Sequence, residues 1–352
     1  MEIAHNLHPD RESTAAGPPI RSGRLLDRRT LLRGAAAVGG AVVLGGVDGL
    51  SGGGTAEAAP AGFPDYRFIG TPFNKAALRY NPTNELIFPC VRGVYDKLAA
   101  PRARYYLYYA PHENPGGICL AYGNSLGGQF TEYPNNPIIR NVWAPHYSVS
   151  HVSSPHVIWN AANKQFYLYF HGENTTTRMA WSTDGINFTY HGRVLHTGVI
   201  PGSTETSYAR VFEHTVAGLG NRYVILFMVV INGTRRICWG WSNNGKDWSY
   251  DPVPLISPGP DGQTDIAAPA LVKRNGTAYV VYHGNGGNMF ITEVGNNFDR
   301  EVHLGIFHRA MAAAPDSGRS AAPSFGTDGG VEYMFYEAGP RLSGSIAVAR
   351  AI

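Results

Sequence analysis

From residue 65 onward the chain alternates short apolar runs with glycine-centred turns, and the runs are too brief for helices. Five of them, residues 105–109, 166–172, 223–227, 279–284 and 333–337, are dense in aromatic and β-branched side chains and read as buried strands. Each follows an opening segment: Ile87-Phe88-Pro89, Ser153-Ser154-Pro155-His156, Tyr208-Ala209-Arg210-Val211, Ala267-Ala268-Pro269 and Ala321-Ala322-Pro323. The third residues of these openers fall at 89, 155, 210, 269 and 323. A third short run comes next, as in Ile118-Cys119-Leu120-Ala121-Tyr122 and Ile237-Cys238-Trp239-Gly240-Trp241. A turn such as Asp184-Gly185 or Asn244-Gly245 then leads to an aromatic, with glycine supplying the positive φ of a hairpin.

Four short strands recurring at a fixed period form a unit that cannot bury both faces alone, which is the signature of a propeller blade. Five openers predict an all-β, five-bladed propeller over residues 65–352, with four antiparallel strands per blade. The fifth unit stops one strand short. Residues 66–72, Tyr-Arg-Phe-Ile-Gly-Thr-Pro, resemble a fourth strand and are expected to complete it, closing the ring and removing an open edge. A β-sandwich would explain the short strands, but neither the recurring opener nor the recurring turn.

The first 58 residues carry a different pattern. Arg28 and Arg29 precede a glycine- and alanine-rich apolar stretch, 35–47, too short to span a bilayer, and Ala56-Glu57-Ala58 supplies a small-x-small cleavage pattern. The arrangement resembles a twin-arginine signal peptide and predicts export, with residues 59–64 as a short linker. A basic tail before a buried helix is the plainer alternative.

Charge and cysteines narrow the function. The net charge is +3, without a Lys/Arg run, so neither nucleic acid nor an anionic membrane is an expected partner. Cys90, Cys119 and Cys238 are odd in number and match no metal spacing; they read as small buried hydrophobes. No metal or other cofactor is expected, a channel-bound calcium or sodium ion having only analogy behind it, and the protein is expected to be a monomer.

The first strand of each blade lines the central channel, so the repeat can be read ring by ring. Four positions before each opener's third residue stand Glu85, His151, Thr206, Asp265 and Arg319. One position after it, His156 stands where the other blades have Cys90, Val211, Ala270 and Ser324, and Arg210 takes the place of the proline in blade three. His112, His171 with Glu173, His283 and Glu337 end the second strands. Any one of these could be an ordinary loop or backbone-bonding residue; together they converge on one concave mouth. His191, His196, His214, His303 and His308 lie off the repeat and are set aside.

The openers, the aromatic second strands and above all 147–181, with Ser154-Pro155-His156 and His171-Gly172-Glu173, resemble the five-bladed glycoside hydrolases of family 43 and its relatives. The resemblance implies hydrolysis of glycosides, often of furanose or pentose sugars, with inversion. It implies a first-blade carboxylate activating water, here Glu85, a second group protonating the leaving oxygen, and an aspartate after the second-blade proline tuning that acid. This chain has His156 at the last position. Asp265 is the favoured proton donor, with His151 or His156 as the alternative. Arg210 and Arg319 would orient hydroxyls or a sugar carboxylate, with His156, His171, Glu173, His283 and Glu337 as further substrate contacts. Tyr208, Trp143 and Tyr147 offer a stacking wall. The expected partner is a carbohydrate, cleaved outside the cell. A polysaccharide lyase with a histidine base and a non-catalytic sugar-binding module stay open as alternatives.

Overall fold

The computed structural model describes residues 59–352, so the stretch read as an export signal lies outside the described residues. Five four-stranded antiparallel sheets form, each lying next to the following one through its first strand. Blade one contains Leu86–Gly93, Tyr105–Pro111, Cys119–Gly123 and Thr131–Glu132. Blade two contains Val152–Asn160, Gln165–Gly172, Thr176–Ser182 and Thr189–His196. Blade three contains Ser203–Glu213, Tyr223–Ile231, Thr234–Ser242 and Ser249–Tyr250. Blade four contains Ile266–Arg274, Thr277–Gly284, Met289–Glu293 and Val302–His308. Blade five contains Ser320–Asp328, Val331–Ala338 and Ser345–Ala351, and its outermost strand is Tyr66–Gly70, with Tyr66 opposite Ala351. Cys90, Cys119 and Cys238 are free and buried in this core.

Two devices lock neighbouring blades. Ser182 and Asp184 cap the Gly185 turn, and its carbonyl accepts the hydroxyl of Tyr108 on blade one at 2.8 Å. Gly185 has φ 73°, and an added Cβ would sit 2.8 Å from that same hydroxyl, so glycine is required twice over. The Gly245 turn of blade three repeats the arrangement on Tyr169 of blade two, at 2.6 Å.

The second device is a bulge in every first strand. Phe88, Ser154, Tyr208, Ala268 and Ala322 all have φ between 48° and 55°, and the strand pairing slips beside each of them. A non-glycine residue there carries a cost of order 1–3 kcal/mol, so the surroundings must enforce it. At two blades the partner is visible: Glu337 Oε1 accepts the Phe88 amide at 3.0 Å, and His171 Nδ1 accepts the Tyr208 amide at 3.4 Å. The end of one blade's second strand thus satisfies the bulge of the next.

These bulges correct the sequence register in blade three. Tyr208 is the counterpart of Phe88 and Ser154, so Ala209, not Arg210, stands where the other blades have proline. Arg210 pairs with Leu226 as Cys90 pairs with Tyr108 and His156 with Tyr169. Glu205 then replaces Thr206 in the ring formed by Glu85, His151, Asp265 and Arg319. The sequence misaligned this blade because its one irreplaceable marker, the proline, is missing. A further element was not anticipated: Val142–Trp143 and Tyr147–Ser148 form a separate hairpin between blades one and two.

Candidate active site

The segments leading into the first strands and those leaving the second strands meet at one mouth of the channel. Blade one contributes Glu85, which is almost wholly buried. Its Oε2 accepts from His112 Nδ1 at 2.8 Å, and its Oε1 lies 3.3 Å from Arg341 Nε. Burial pushes this carboxyl up, but the His112 hydrogen bond, the Arg341 charge and the Leu342 amide together hold it below the usual glutamate range. Glu85 is therefore ionised at neutral pH.

Blade two contributes His151, His171 and Glu173. The two imidazoles meet edge to face with centroids 5.8 Å apart. Burial lowers both, His171 strongly, and each is further lowered by charge on its histidine neighbours, so both are neutral bases near pH 7. Glu173 is held by Arg178 through two contacts of 3.1 and 3.2 Å.

Blades three and four place two carboxylates on the far side of the ring. Glu205 is partly exposed and lies 3.5 Å from Arg235 Nη2, while its Oε2 is buried without a hydrogen bond. Asp265 Oδ1 accepts the Arg235 amide at 2.8 Å, and its Oδ2 lies 3.4 Å from the Thr264 hydroxyl. Asp265 thus braces the start of the strand that carries Arg235 toward Glu205. On blade four, His283 is lowered to about 3, by burial first and then by the charge of Arg319; its Nδ1 is buried without a hydrogen-bond partner. Blade five supplies Glu337, whose Oε2 takes Arg319 Nη2 at 2.7 Å. Burial raises this carboxyl, and Arg319 and the Phe88 amide more than offset it, leaving it below the ordinary range.

The floor is aromatic. Tyr208 stacks on Phe88 with centroids 5.8 Å apart, and the guanidinium of Arg210 lies 4.1 Å from the Phe88 ring centre. Arg210 Nη2 reaches the carbonyls of Ala322, at 3.2 Å, and Pro89, at 3.4 Å, bridging blade three to blades five and one. Burial lowers it to about 10, and it remains a cation. Below the bulges, His156 Nε2 lies 2.7 Å from the Val211 carbonyl and 3.2 Å from Arg92, with Cys90 beside its other nitrogen.

The structure therefore divides the expected set. Glu85, His151, His171, Glu173, Asp265, His283, Arg319 and Glu337 converge on the mouth. His156 and Arg210 do not: both are buried to within one per cent beneath the bulges and bonded to backbone, where they knit blades together instead of meeting a substrate. Sequence reasoning missed Glu205, Arg235 and Arg341. Glu205 was one residue from the position read in the ring; Arg235 opens the third strand of blade three and Arg341 lies in the turn after the second strand of blade five, and neither carries a repeat signal. Among the described residues no cluster of His, Cys, Asp and Glu has the geometry to hold a metal ion.

The fold and this mouth define a class: a five-bladed propeller of the type found in glycoside hydrolases, with carboxylates gathered around one end of the channel. Solved structures similar to this chain include a glycosyl hydrolase from Bacteroides ovatus, with TM-score 0.58 and 12% identity over 82% of this chain and 93% of that one. An α-L-arabinofuranosidase from Lactobacillus brevis has TM-score 0.55 and 17% identity over 77% and 92% of the two chains. A thermostable family-43 glycoside hydrolase has TM-score 0.53 and 14% identity over 76% and 89%. No protein-family profile matches the chain, and no curated protein matches it. At such identities the likeness is one of fold, and the activity has to be argued from the mouth.

Proposed function

We propose that the protein is an exported glycoside hydrolase that cleaves a carbohydrate with inversion. The observation that carries this reading is Glu85, a buried carboxylate held ionised by His112 and Arg341, facing further carboxylates across the mouth. Inverting hydrolysis needs one ionised carboxylate to activate water and a second carboxyl to protonate the leaving oxygen. Glu85 suits the first role. The sequence favoured Asp265 for the second, but both of its oxygens are engaged, Oδ1 by the Arg235 amide and Oδ2 by the Thr264 hydroxyl. Glu205, whose Oε2 takes no hydrogen bond and lies 3.5 Å from Arg235 Nη2, is the less engaged carboxyl and is assigned the donor role, with Asp265 as the positioning residue behind Arg235. His151 is depressed by burial and so arrives unprotonated, which suits a hydroxyl acceptor better than an acid.

The lyase reading loses its support here, because it required Arg210 to neutralise a uronate, and Arg210 is buried. The remaining guanidiniums at the mouth, Arg178, Arg235, Arg319 and Arg341, each already face a carboxylate.

The test is incubation of the secreted protein with arabinan, galactan, xylan, mannan and pectic polysaccharides, with products read by mass and the anomer of the first-formed product by NMR. The expected result is cleavage with inversion, cut ~10²–10⁴-fold by Glu85→Gln and by Glu205→Gln. Asp265→Asn is expected to lose less. Retained turnover in Glu85→Gln would overturn the reading, and an unsaturated product absorbing in the ultraviolet would restore the lyase.

A further inference from the structure

We propose that the hairpin 142–148 is a second sugar-binding subsite beside the mouth, so that the substrate is a chain extending past the bond that is cut. This inference rests on the hydrolase reading for the location of that bond. The hairpin belongs to none of the five blades, and the connection that holds it, residues 133–151, is longer than those at 197–202, 251–265 and 309–319. The first part of this connection, through Ile139, pairs with Ile118 and Leu120 of blade one, while the hairpin beyond it adds no strand to any blade; such an insertion is where binding function is expected.

Its side chains form an aromatic shelf. His146, which is exposed, stacks on Tyr190 with centroids 4.5 Å apart and planes 22° apart. Trp143 is half-buried and meets His146, Tyr147 and Tyr190 edge to face at 5.7 to 6.2 Å. Among the described residues no protein group accepts the Trp143 indole N–H, which stands free as a donor. The neighbouring Val142 is 54% exposed. Tyr147 is turned inward, while Trp143 and Tyr190 pack against the same core on one side and stay partly exposed on the other. A shelf of π faces beside a free donor is suited to a sugar, whose C–H-bearing face docks on the ring while its hydroxyls take up the polar groups.

The shelf is continuous with the mouth. The guanidinium of Arg178 lies 4.8 Å from the centre of the Tyr147 ring, and both of its Nη atoms hold Glu173. Glu173 follows His171 by two residues, and the Cβ that Gly172 lacks would touch both Arg178 and the His151 carbonyl. A sugar on the shelf would thus find Glu173 and Arg178 between itself and the unit in the mouth.

The measurement is migration of the Glu85→Gln protein through native gels cast with arabinan, galactan, xylan or mannan. At least one polysaccharide is expected to retard it. Trp143→Ala combined with His146→Ala should abolish that retardation, while Trp143→Phe, which keeps an aromatic face, should preserve most of it. In the otherwise native protein the double variant should raise KM for the polymer by tenfold or more while kcat for the polymer changes less than twofold. Migration in sugar-free gels reports on folding. The subsite is refuted if none of the four polysaccharides retards the protein, or if the double variant binds as tightly as its parent. Loss of retardation in the double variant together with full turnover in Glu85→Gln would leave the subsite standing and remove the hydrolytic assignment.

Discussion

Removal of Glu337 separates the two jobs its carboxylate performs. One oxygen accepts the Phe88 amide inside the blade-one bulge and the other holds Arg319. Glu337→Ala leaves a buried N–H unsatisfied, a penalty of about 1–3 kcal/mol. It also strands Arg319, and breaking a buried pair costs about 3–5 kcal/mol. The Arg319 side chain is 19% exposed, so water recovers part of its charge and the lower end applies. The two losses share one side chain and do not add fully, giving about 4 kcal/mol in all. Glu337→Gln keeps an oxygen for the Phe88 amide and loses only the charge, about 2 kcal/mol. At roughly 2 °C per kcal/mol for a domain of this size, Tm should fall by about 8 °C for Ala and 4 °C for Gln. Urea unfolding followed by tryptophan fluorescence checks both, provided the denaturant slope is unchanged. The carboxyl is depressed in the folded protein, so its contribution is fully present above its unfolded value and is lost as pH falls through its lower folded value. The Gln variant should therefore converge on the parent in acid, while the Ala variant keeps the loss of the Phe88 bond. Equal destabilisation by Ala and Gln would show that the Phe88 bond contributes nothing. A loss below about 1 kcal/mol in both would remove the bulge clamp altogether.

Other perturbations test other levels. His303 is desolvated but is raised to about 9 by Asp261 and Glu301, so its stabilising effect is complete below its unfolded value and lost as pH rises through 9; His303→Gln should flatten the decline in Tm between pH 7 and 10, and an unchanged slope would refute the pairing. Deleting residues 59–75 removes the strand that pairs with Ser345–Ala351, and should lower Tm of the whole domain in a single transition; a deletion that melts like the parent would count against ring closure. Arg28→Lys with Arg29→Lys should hold the protein in the cytoplasm, folded and unsecreted, and undiminished secretion would favour the general secretory route.

The blade count was legible because each blade repeats an opener and an aromatic second strand, and blades two and three add an Asx-Gly turn. The turn residues are visible since Gly185 and Gly245 need both positive φ and the absence of a Cβ against a tyrosine of the preceding blade. The bulges were not legible. Their left-handed position is held by Phe, Ser, Tyr, Ala and Ala, residues that share no local preference for it, so tertiary contacts such as those from Glu337 and His171 impose it from outside. That is why the alignment failed in blade three and nowhere else. Prolines follow the bulge in the other four blades and had served as its marker. Ala209 keeps the conformation without announcing it.

The same one-residue slip explains the mistaken roles at the mouth. On a strand, moving by one residue exchanges the two faces, and a β-bulge resets that alternation again. His156 and Arg210 occupy the same ring once blade three is realigned, and that ring lies below the bulges, where Cys90, Ala270 and Ser324 are also buried. A histidine and an arginine among such neighbours are interior polar groups bonded to the Val211, Ala322 and Pro89 carbonyls, with Arg210 Nε left without a hydrogen-bond partner among the described residues. Glu205, by contrast, rises to the level of Glu85, His151, Asp265 and Arg319. The bulge thus divides each first strand into a working end above it and a packing end below it. Arg210→Met and Glu205→Gln should then separate cleanly. The first should lower stability and leave KM for a cleaved polysaccharide unchanged in the fraction that folds; the second should lower turnover and leave the free energy of unfolding within about 1 kcal/mol of the parent. A rise in KM from Arg210→Met without loss of stability would put the guanidinium back in the substrate's path, and the division of the strand would fail with it.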